Sequence, residues 1–364
     1  MPSSAPRFTS RICGFGWVTP LGANLDEVWA RLARGDVAEP KVVTNPETTH
    51  EHVYAPVPPK TVEALGRNPR LRRSSAISYF AVAAGLAALQ NAGVCLTPEA
   101  AARTAIVFAI SSGGVIYTRK FYEQIVKQGA NCASPMLFPE TVYNAPASHL
   151  AAQLGVDGAT YTLVSDSTVG FSALEFAGQL LATSDLDRVV VVGAEESDWI
   201  LCEAYRDWRF SRRPGSARGA LLAEGAAAVV LGREGDLEIT PHPGDPVFRQ
   251  TDSDAALRRI HAALVPEGDV DLVIDGANGT SADRMEKHVL TERFPGAEFF
   301  HPKLAFGETL GAAALMQIVV AALALRHGGL PGVSGKPAKS ALVSALGFNH
   351  QAGGAVLRLV SDTR

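Results

Sequence analysis

Apolar residues fall into two kinds of run along this chain. The first kind is short, continuous and rich in β-branched residues: Thr104 to Ile110, Arg188 to Gly193, Ala227 to Leu231 and Val270 to Ile274. Runs of this length without polar alternation predict strands of a largely parallel sheet covered on both faces. The second kind is longer and rich in alanine: Ser74 to Ala92, Gly170 through Leu181, and about Thr309 to Leu325. The first of these is apolar nearly all round (Ile77, Phe80, Val82, Leu86, Leu89), which predicts a buried helix. Near the start, a strand over Arg11 to Val18 precedes an amphipathic helix from about Asn24, with Leu25, Val28, Trp29 and Leu32 on one face. The second half rebuilds a similar order, with a helix over Asp254 to Leu264, the strand at Val270, a helix over Asp283 to Glu292 and closing strands near 341–346 and 355–360. The alternation predicts a layered α/β architecture in two related halves, 1–232 and 233–364. Asp36 to Thr61 is Pro-rich and lacks periodicity. It is expected to be an irregular surface segment, with His50 and His52 as solvated histidines rather than a metal pair lacking its third ligand.

One joint stands out. Tyr161 to Val164 reads as a strand, Ser165-Asp166-Ser167-Thr168 interrupts it, and Gly170 opens a helix. A strand–turn–helix elbow lifts a side chain onto a helix N-terminus, where backbone N–H groups and the helix dipole favour negative charge. Enzymes place nucleophiles there. Ser167 occupies the apex.

Composition narrows the classes. With 364 residues, 47% hydrophobic and 19% charged, the chain can bury a large core, and its net charge of −4 carries no nucleic-acid signature. Cys13, Cys95, Cys132 and Cys202 are widely spaced, which predicts reduced thiols in a cytoplasmic protein rather than a disulfide frame or zinc site. The run from Ala312 to Leu325 is interrupted by Gln317 and reads as a buried helix, so no membrane span is expected. Neither Gly113-Gly114 nor Gly353-Gly354 has the spacing of a phosphate loop, and no metal or cofactor is implied. Arg67, Arg70, Arg72 and Arg73 precede the helix at Ser74. They are expected to form local ion pairs and anchor the loop, or to meet an acidic partner or a phosphate.

These landmarks, in register, resemble the thiolase-fold condensing enzymes, closest to the β-ketoacyl-acyl-carrier-protein synthases of type II fatty acid and polyketide synthesis. The resemblance runs from Gly14-Phe15-Gly16-Trp17-Val18-Thr19-Pro20-Leu21-Gly22 through Ser134-Pro135, Asn144-Ala145, Glu224-Gly225-Ala226 and Asn278-Gly279-Thr280. It continues to Lys303, Gly311-Ala312-Ala313 and Gly347-Phe348. It implies a layered αβαβα sandwich. The family's acyl-accepting cysteine falls on Ser167, its first histidine on Asn278, its lysine on Lys303 and its second histidine on Glu308. Phe348 matches the phenylalanine that gates the acyl pocket, while Asn349 and His350 replace the glycines after it.

A serine hydroxyl needs a base before it attacks. Asn278 takes no proton, and a carboxylate at Glu308 would repel the enolate that a histidine stabilises. Lys303 is expected to pair with Glu308 instead. His301 and His350 are the remaining imidazoles near these motifs, the plain alternative being packing or surface roles. A kept fold with a lost catalytic set resembles the chain-length-factor subunits of type II polyketide systems. Such a subunit would not itself condense. It would pair with a cognate ketosynthase in a heterodimer, shape an acyl tunnel at the interface, and work with an acyl carrier protein. The expected interface segments are Phe121 to Ala147 and the strand before Ser167, with Phe138, Tyr143 and Phe171 facing the partner or the monomer core. Arg119 and Lys120 join the four earlier arginines as candidate carrier-docking residues. The alternative is a Ser-dependent acyltransferase or priming enzyme using Ser167.

Overall fold

The β-branched runs form strands and the alanine-rich runs form helices. The computed structural model describes residues 8–246, 249–333, 337–348 and 351–360. In chain order come β1 (Ser10–Val18), α1 (Leu25–Ala33), β2 (Lys41–Thr44), β3 (Glu51–Ala55), α2 (Ala76–Asn91), α3 (Pro98–Ala102), β4 (Thr104–Ile110) and α4 (Val115–Gln128). Then follow α5 (Ala145–Leu154), β5 (Thr160–Val164), α6 (Val169–Thr183), β6 (Arg188–Glu195), α7 (Trp199–Asp207), β7 (Leu222–Ala223) and β8 (Gly225–Gly232). The remainder holds β9 (Leu237–Pro246), α8 (Ser253–Leu264), β10 (Leu272–Ile274), α9 (Ala282–Arg293), β11 (Glu298–Phe300), α10 (Pro302–Phe306), α11 (Ala313–His327), β12 (Ser340–Leu346) and β13 (Gln351–Leu359).

Two sets of five strands repeat one topology. The first is ordered β5-β4-β6-β8-β1 and the second β11-β10-β12-β13-β9, and they meet where β1 pairs with β9. In each set the two outer pairings are parallel, β4 with β5 and β6, and β10 with β11 and β12. The inner pairings are antiparallel, β6–β8–β1 and β12–β13–β9. Helices α6 and α11 touch strands of both sets and form the middle layer, with α2 and α5 outside the first set and α8 and α9 outside the second. The sandwich is therefore αβαβα.

Small residues make the middle layer possible. A Cβ on Gly170 of α6 would come within 2.9 Å of the Ala314 methyl of α11, so the two helices approach as closely as glycine allows. From Ala313 to Leu325 every residue of α11 is buried. By length and composition alone Leu310–His327 could cross a membrane, yet 89% of it lies inside this fold.

Several expectations are corrected. Asp36 to Thr61 is not irregular: β2 and β3 pair as a hairpin, and β3 pairs in parallel with β7. The partner strand lies far along the chain, so no local periodicity announced it. Nor are His50 and His52 simply solvated. His52 is buried, and both imidazoles contact the Glu203 carboxylate on α7, at 2.8 Å and 3.0 Å. Phe171 is core, wholly buried in the middle layer, whereas Phe138 and Tyr143 are exposed. The arginines at 67, 70, 72 and 73 form no ion pairs among the described residues. Arg70 anchors its loop, as expected, by donating to the Ala152 carbonyl at 2.6 Å. Arg119 is already engaged by Asp198 and Glu123, each at 2.9 Å.

Candidate functional site

The elbow forms as the sequence predicts. β5 ends at Val164, and Asp166 turns the chain by accepting from the Thr168 N–H at 3.0 Å and the Thr168 hydroxyl at 2.8 Å, just ahead of α6. Such side-chain-to-backbone bonds stand in for the missing partners of a helix start. A Cβ on Gly347 would collide with the Asp166 carboxylate, so the Gly347–Phe348 segment lies directly on the elbow. Ser167 is only 1% exposed, and its Oγ has no hydrogen-bond partner among the described residues.

Three other expected positions converge although they lie 25 and 5 residues apart in sequence. Glu308 is 1% exposed. Its Oε2 accepts from Asn278 Nδ2 and from Lys303 Nζ, both at 2.9 Å, and its Oε1 accepts from the Leu310 N–H at 3.0 Å. The backbone of Glu308 is pinned too: its N–H donates to Leu221 and its carbonyl accepts from Ala223. Three of the carboxylate's roughly four acceptor directions are spent on holding the site together. Phe348 packs on Tyr205 at 5.3 Å and on Phe210 at 4.8 Å between ring centroids.

The imidazole candidates lie elsewhere. His301 Nδ1 sits 2.8 Å from both carboxylate oxygens of buried Asp275, a contact that raises the imidazole pKa. No histidine bonds to Ser167, Asn278, Lys303 or Glu308 among the described residues. His350 and Asn349 fall outside the described residues. No group of three or more His, Cys, Asp or Glu side chains is arranged to hold a metal ion among the described residues.

Sequence reasoning missed Tyr205 and the acidity around it. Burial, followed by the charges of Glu195, Glu308 and Asp166, pushes the Tyr205 phenol well above its ordinary range. Asp166 carried a signal, since it adjoins Ser167 in sequence. Tyr205 and Glu195 carried none. Tyr205 therefore sits among three acidic side chains drawn from separate segments, with Lys303 bonded to one of them, Glu308.

Buried carboxylates also set the pH response. Burial raises Glu195 to about 8 and Glu224 to about 7, against the hydrogen bonds each accepts from backbone N–H groups. Burial lowers His261 to about 4. Above about pH 6.5 the unfolded His261 holds less than half a proton, and this is outweighed by the two glutamates, at which the unfolded chain binds fewer protons than the folded one. Stability therefore falls as pH rises from about 6.5 to about 8. Thermal melts across that window check it, and Glu195→Gln flattens the slope.

The matching of whole families agrees with this fold and these landmarks. Residues 11–236 match the family model of the β-ketoacyl synthase N-terminal domain. The chain belongs to the β-ketoacyl synthase family. Its similarity to the 3-oxoacyl-[acyl-carrier-protein] synthase 2 of Vibrio cholerae is 24% identity over 51% of this chain, spanning less than half, 45%, of that relative's length. The putative polyketide beta-ketoacyl synthase 2 of Streptomyces cyaneus is 26% identical, over 88% of this chain and 85% of its own. Among solved structures, the ishigamide ketosynthase/chain length factor superposes with a TM-score of 0.82 at 18% identity, covering 98% of this chain and 100% of that one. The fold is thus that of the thiolase-like ketosynthases.

Proposed function

We propose that this chain is a non-condensing, chain-length-factor-like subunit that pairs with an active β-ketoacyl synthase in type II polyketide or fatty acid synthesis. The observation that carries the reading is the Lys303–Glu308–Asn278 cluster: the positions that would hold two imidazoles are locked into a buried ion pair and an amide hydrogen bond. Decarboxylation of an extender unit needs donors aimed at an enolate oxygen, and this cluster offers that oxygen a carboxylate.

A partner role also finds support at the surface. β5 is the last strand of its set, and among the described residues nothing pairs with its outer edge. Tyr161 and Val164 on it are 41% and 50% exposed. The preceding segment exposes Met136, Phe138 and Tyr143, and it leads into α5, which packs against β5. Apolar side chains beside an unpaired strand edge are a protein-interaction surface or a liability. A heterodimer with a ketosynthase covers them, and an acyl carrier protein delivers the chain to that assembly.

The acyltransferase alternative requires a base at Ser167. None bonds to its hydroxyl among the described residues. Incubation with acyl-carrier protein or acyl-CoA, followed by intact-protein mass, is expected to show no acyl adduct. An adduct abolished by Ser167→Ala supports the alternative instead. Co-expression with a cognate ketosynthase tests the pairing: the two chains are expected to co-purify and elute together at the size of a heterodimer, and separate elution of two folded proteins contradicts it.

A further inference from the structure

The turn after β10 requires glycine at 279. Its φ is +94°, and a Cβ there would stand 2.7 Å from the Gly219 carbonyl oxygen. The fold thereby sets a glycine directly after Asn278. Glycine places no side chain over its own nitrogen, the atom that attacks an asparagine amide in succinimide formation. We propose that Asn278–Gly279 is a latent deamidation site, that the Asp283 carboxylate holds it shut, and that conversion of Asn278 to aspartate or isoaspartate breaks the Lys303–Glu308–Asn278 cluster. None of these steps involves a partner ketosynthase, so failure here leaves the proposed pairing untouched.

In the reaction the Gly279 nitrogen gives its proton to hydroxide and bonds to Asn278 Cγ. The Cγ–Nδ2 bond breaks, and the amide nitrogen leaves as ammonia after taking a proton from water. Water then opens the ring at either carbonyl, so that one water is consumed and one ammonia released overall. The first steps are opposed by the bonding around the turn. Gly279 N–H donates to Asp283 Oδ2 at 2.8 Å, and Asn278 N–H donates to Oδ1 at 3.1 Å. An amide anion at Gly279 would lose its bond and face that carboxylate as a like charge. The Gly279 carbonyl accepts from the Gly219 N–H at 2.9 Å, so residue 279 is held from both sides. The side-chain amide is fixed at both ends as well: Nδ2 donates to Glu308 Oε2 at 2.9 Å, and Oδ1 accepts from the Thr280 N–H at 3.3 Å. Nucleophile and amide carbon adjoin along the chain, yet neither is free to turn to the other, and attack needs that alignment.

The product does not fit the site. Aspartate at 278 sets a carboxylate where an amide now donates to Glu308. Two carboxylates then share the one ammonium of Lys303, in a cluster that is almost wholly buried. Isoaspartate also lengthens the main chain, in a turn that Gly219 and Asp283 grip on either side.

The test incubates the full chain, with any co-purifying subunit left in place, in mildly alkaline buffer. Peptide mapping by mass spectrometry follows aspartate and isoaspartate at 278. The folded wild type is expected to convert at least about tenfold more slowly than the same chain in urea. Asp283→Ala is expected to speed conversion about tenfold or more. Asp283→Asn, which accepts from only one of the two N–H groups, is expected to speed it about 3-fold or more. Asn131 is exposed and serves as the internal control, with an unchanged rate in every folded chain. Asp283→Asn decides the role of Asp283 where Asp283→Ala fails to fold, and the comparison with urea needs no variant. Asn278→Asp makes the end point directly: it is expected to lower the urea midpoint, and Glu308→Gln in the same chain to restore much of the loss. The proposal is overturned by conversion at 278 as fast in the folded wild type as in urea, by Asp283→Asn no faster than wild type, by equal acceleration at Asn131, or by an unchanged midpoint in Asn278→Asp.

Discussion

Replacing Lys303 by methionine is expected to destabilise the fold by about 3–5 kcal/mol, because it strands a carboxylate in the interior. Lys303 and Glu308 are both almost wholly buried, and the ammonium lies 2.9 Å from Oε2. Water cannot reach Glu308 to replace the lost partner. The remaining donors, Asn278 Nδ2 and the Leu310 N–H, are dipoles without net charge. Adding Glu308→Gln in the same chain is expected to recover much of the loss, since no buried charge then remains. Urea denaturation of the single and double variants measures both. An equal loss in the two shows that packing, not charge, governs the site. The experiment bears on function too. A loss recovered by Glu308→Gln supports the proposed structural, non-condensing role of the Lys303–Glu308 pair.

The second large effect is expected at the edge of the sheet. Tyr161→Asp combined with Val164→Lys places charge on a strand whose outer edge no other strand pairs with among the described residues. Tyr161 also packs edge-on against Phe176 at 4.9 Å, so the monomer's own stability is expected to fall by about 1–2 kcal/mol, a loss read separately by urea denaturation of the isolated chain. Affinity for a partner ketosynthase is expected to fall by about 100-fold or more, about 2.7 kcal/mol, because a charge desolvated in an apolar interface finds no compensation. Interferometry or analytical ultracentrifugation of the purified pair measures it. An unchanged affinity places the interface elsewhere on the molecule.

How much of this was legible in the amino acids varies from element to element. β4, β6 and β8 are continuous apolar runs, and both α2 and α11 are apolar on every side. Burial on all faces leaves that mark in any sequence. The hairpin of β2 and β3 left none, since it is held by β7 from across the fold and by Glu203 from α7. β11 is three residues long, one residue beyond Pro295 and Gly296, too short for any periodicity. His52 lies on β3 and His50 just before it, close enough to share a neighbour, but nothing local says that this neighbour is a carboxylate.

At the site, chemistry was legible and geometry was not. The absence of imidazole at Asn278 and Glu308 could be read from the motifs, and so could the pairing of Lys303 with Glu308. The bond from Asn278 to the same oxygen could not, because it joins the segment after β10 to the one after α10, 30 residues further along the chain. The acid surroundings of Tyr205 depend on three separate segments meeting. Phe171 shows the opposite limit: one aromatic residue on an amphipathic pattern suits an interface and a core equally, and here the middle layer takes it.

The most direct measurement follows β-ketoacyl product from acyl- and malonyl-carrier proteins with this chain alone, with a ketosynthase carrying an intact Cys-His-His set alone, and with both together. The account predicts no product above background from this chain alone, and product from the pair that depends on the partner's cysteine and changes in length when this chain is left out. Condensation by this chain alone at a ketosynthase-like rate, abolished by Ser167→Ala, would contradict it.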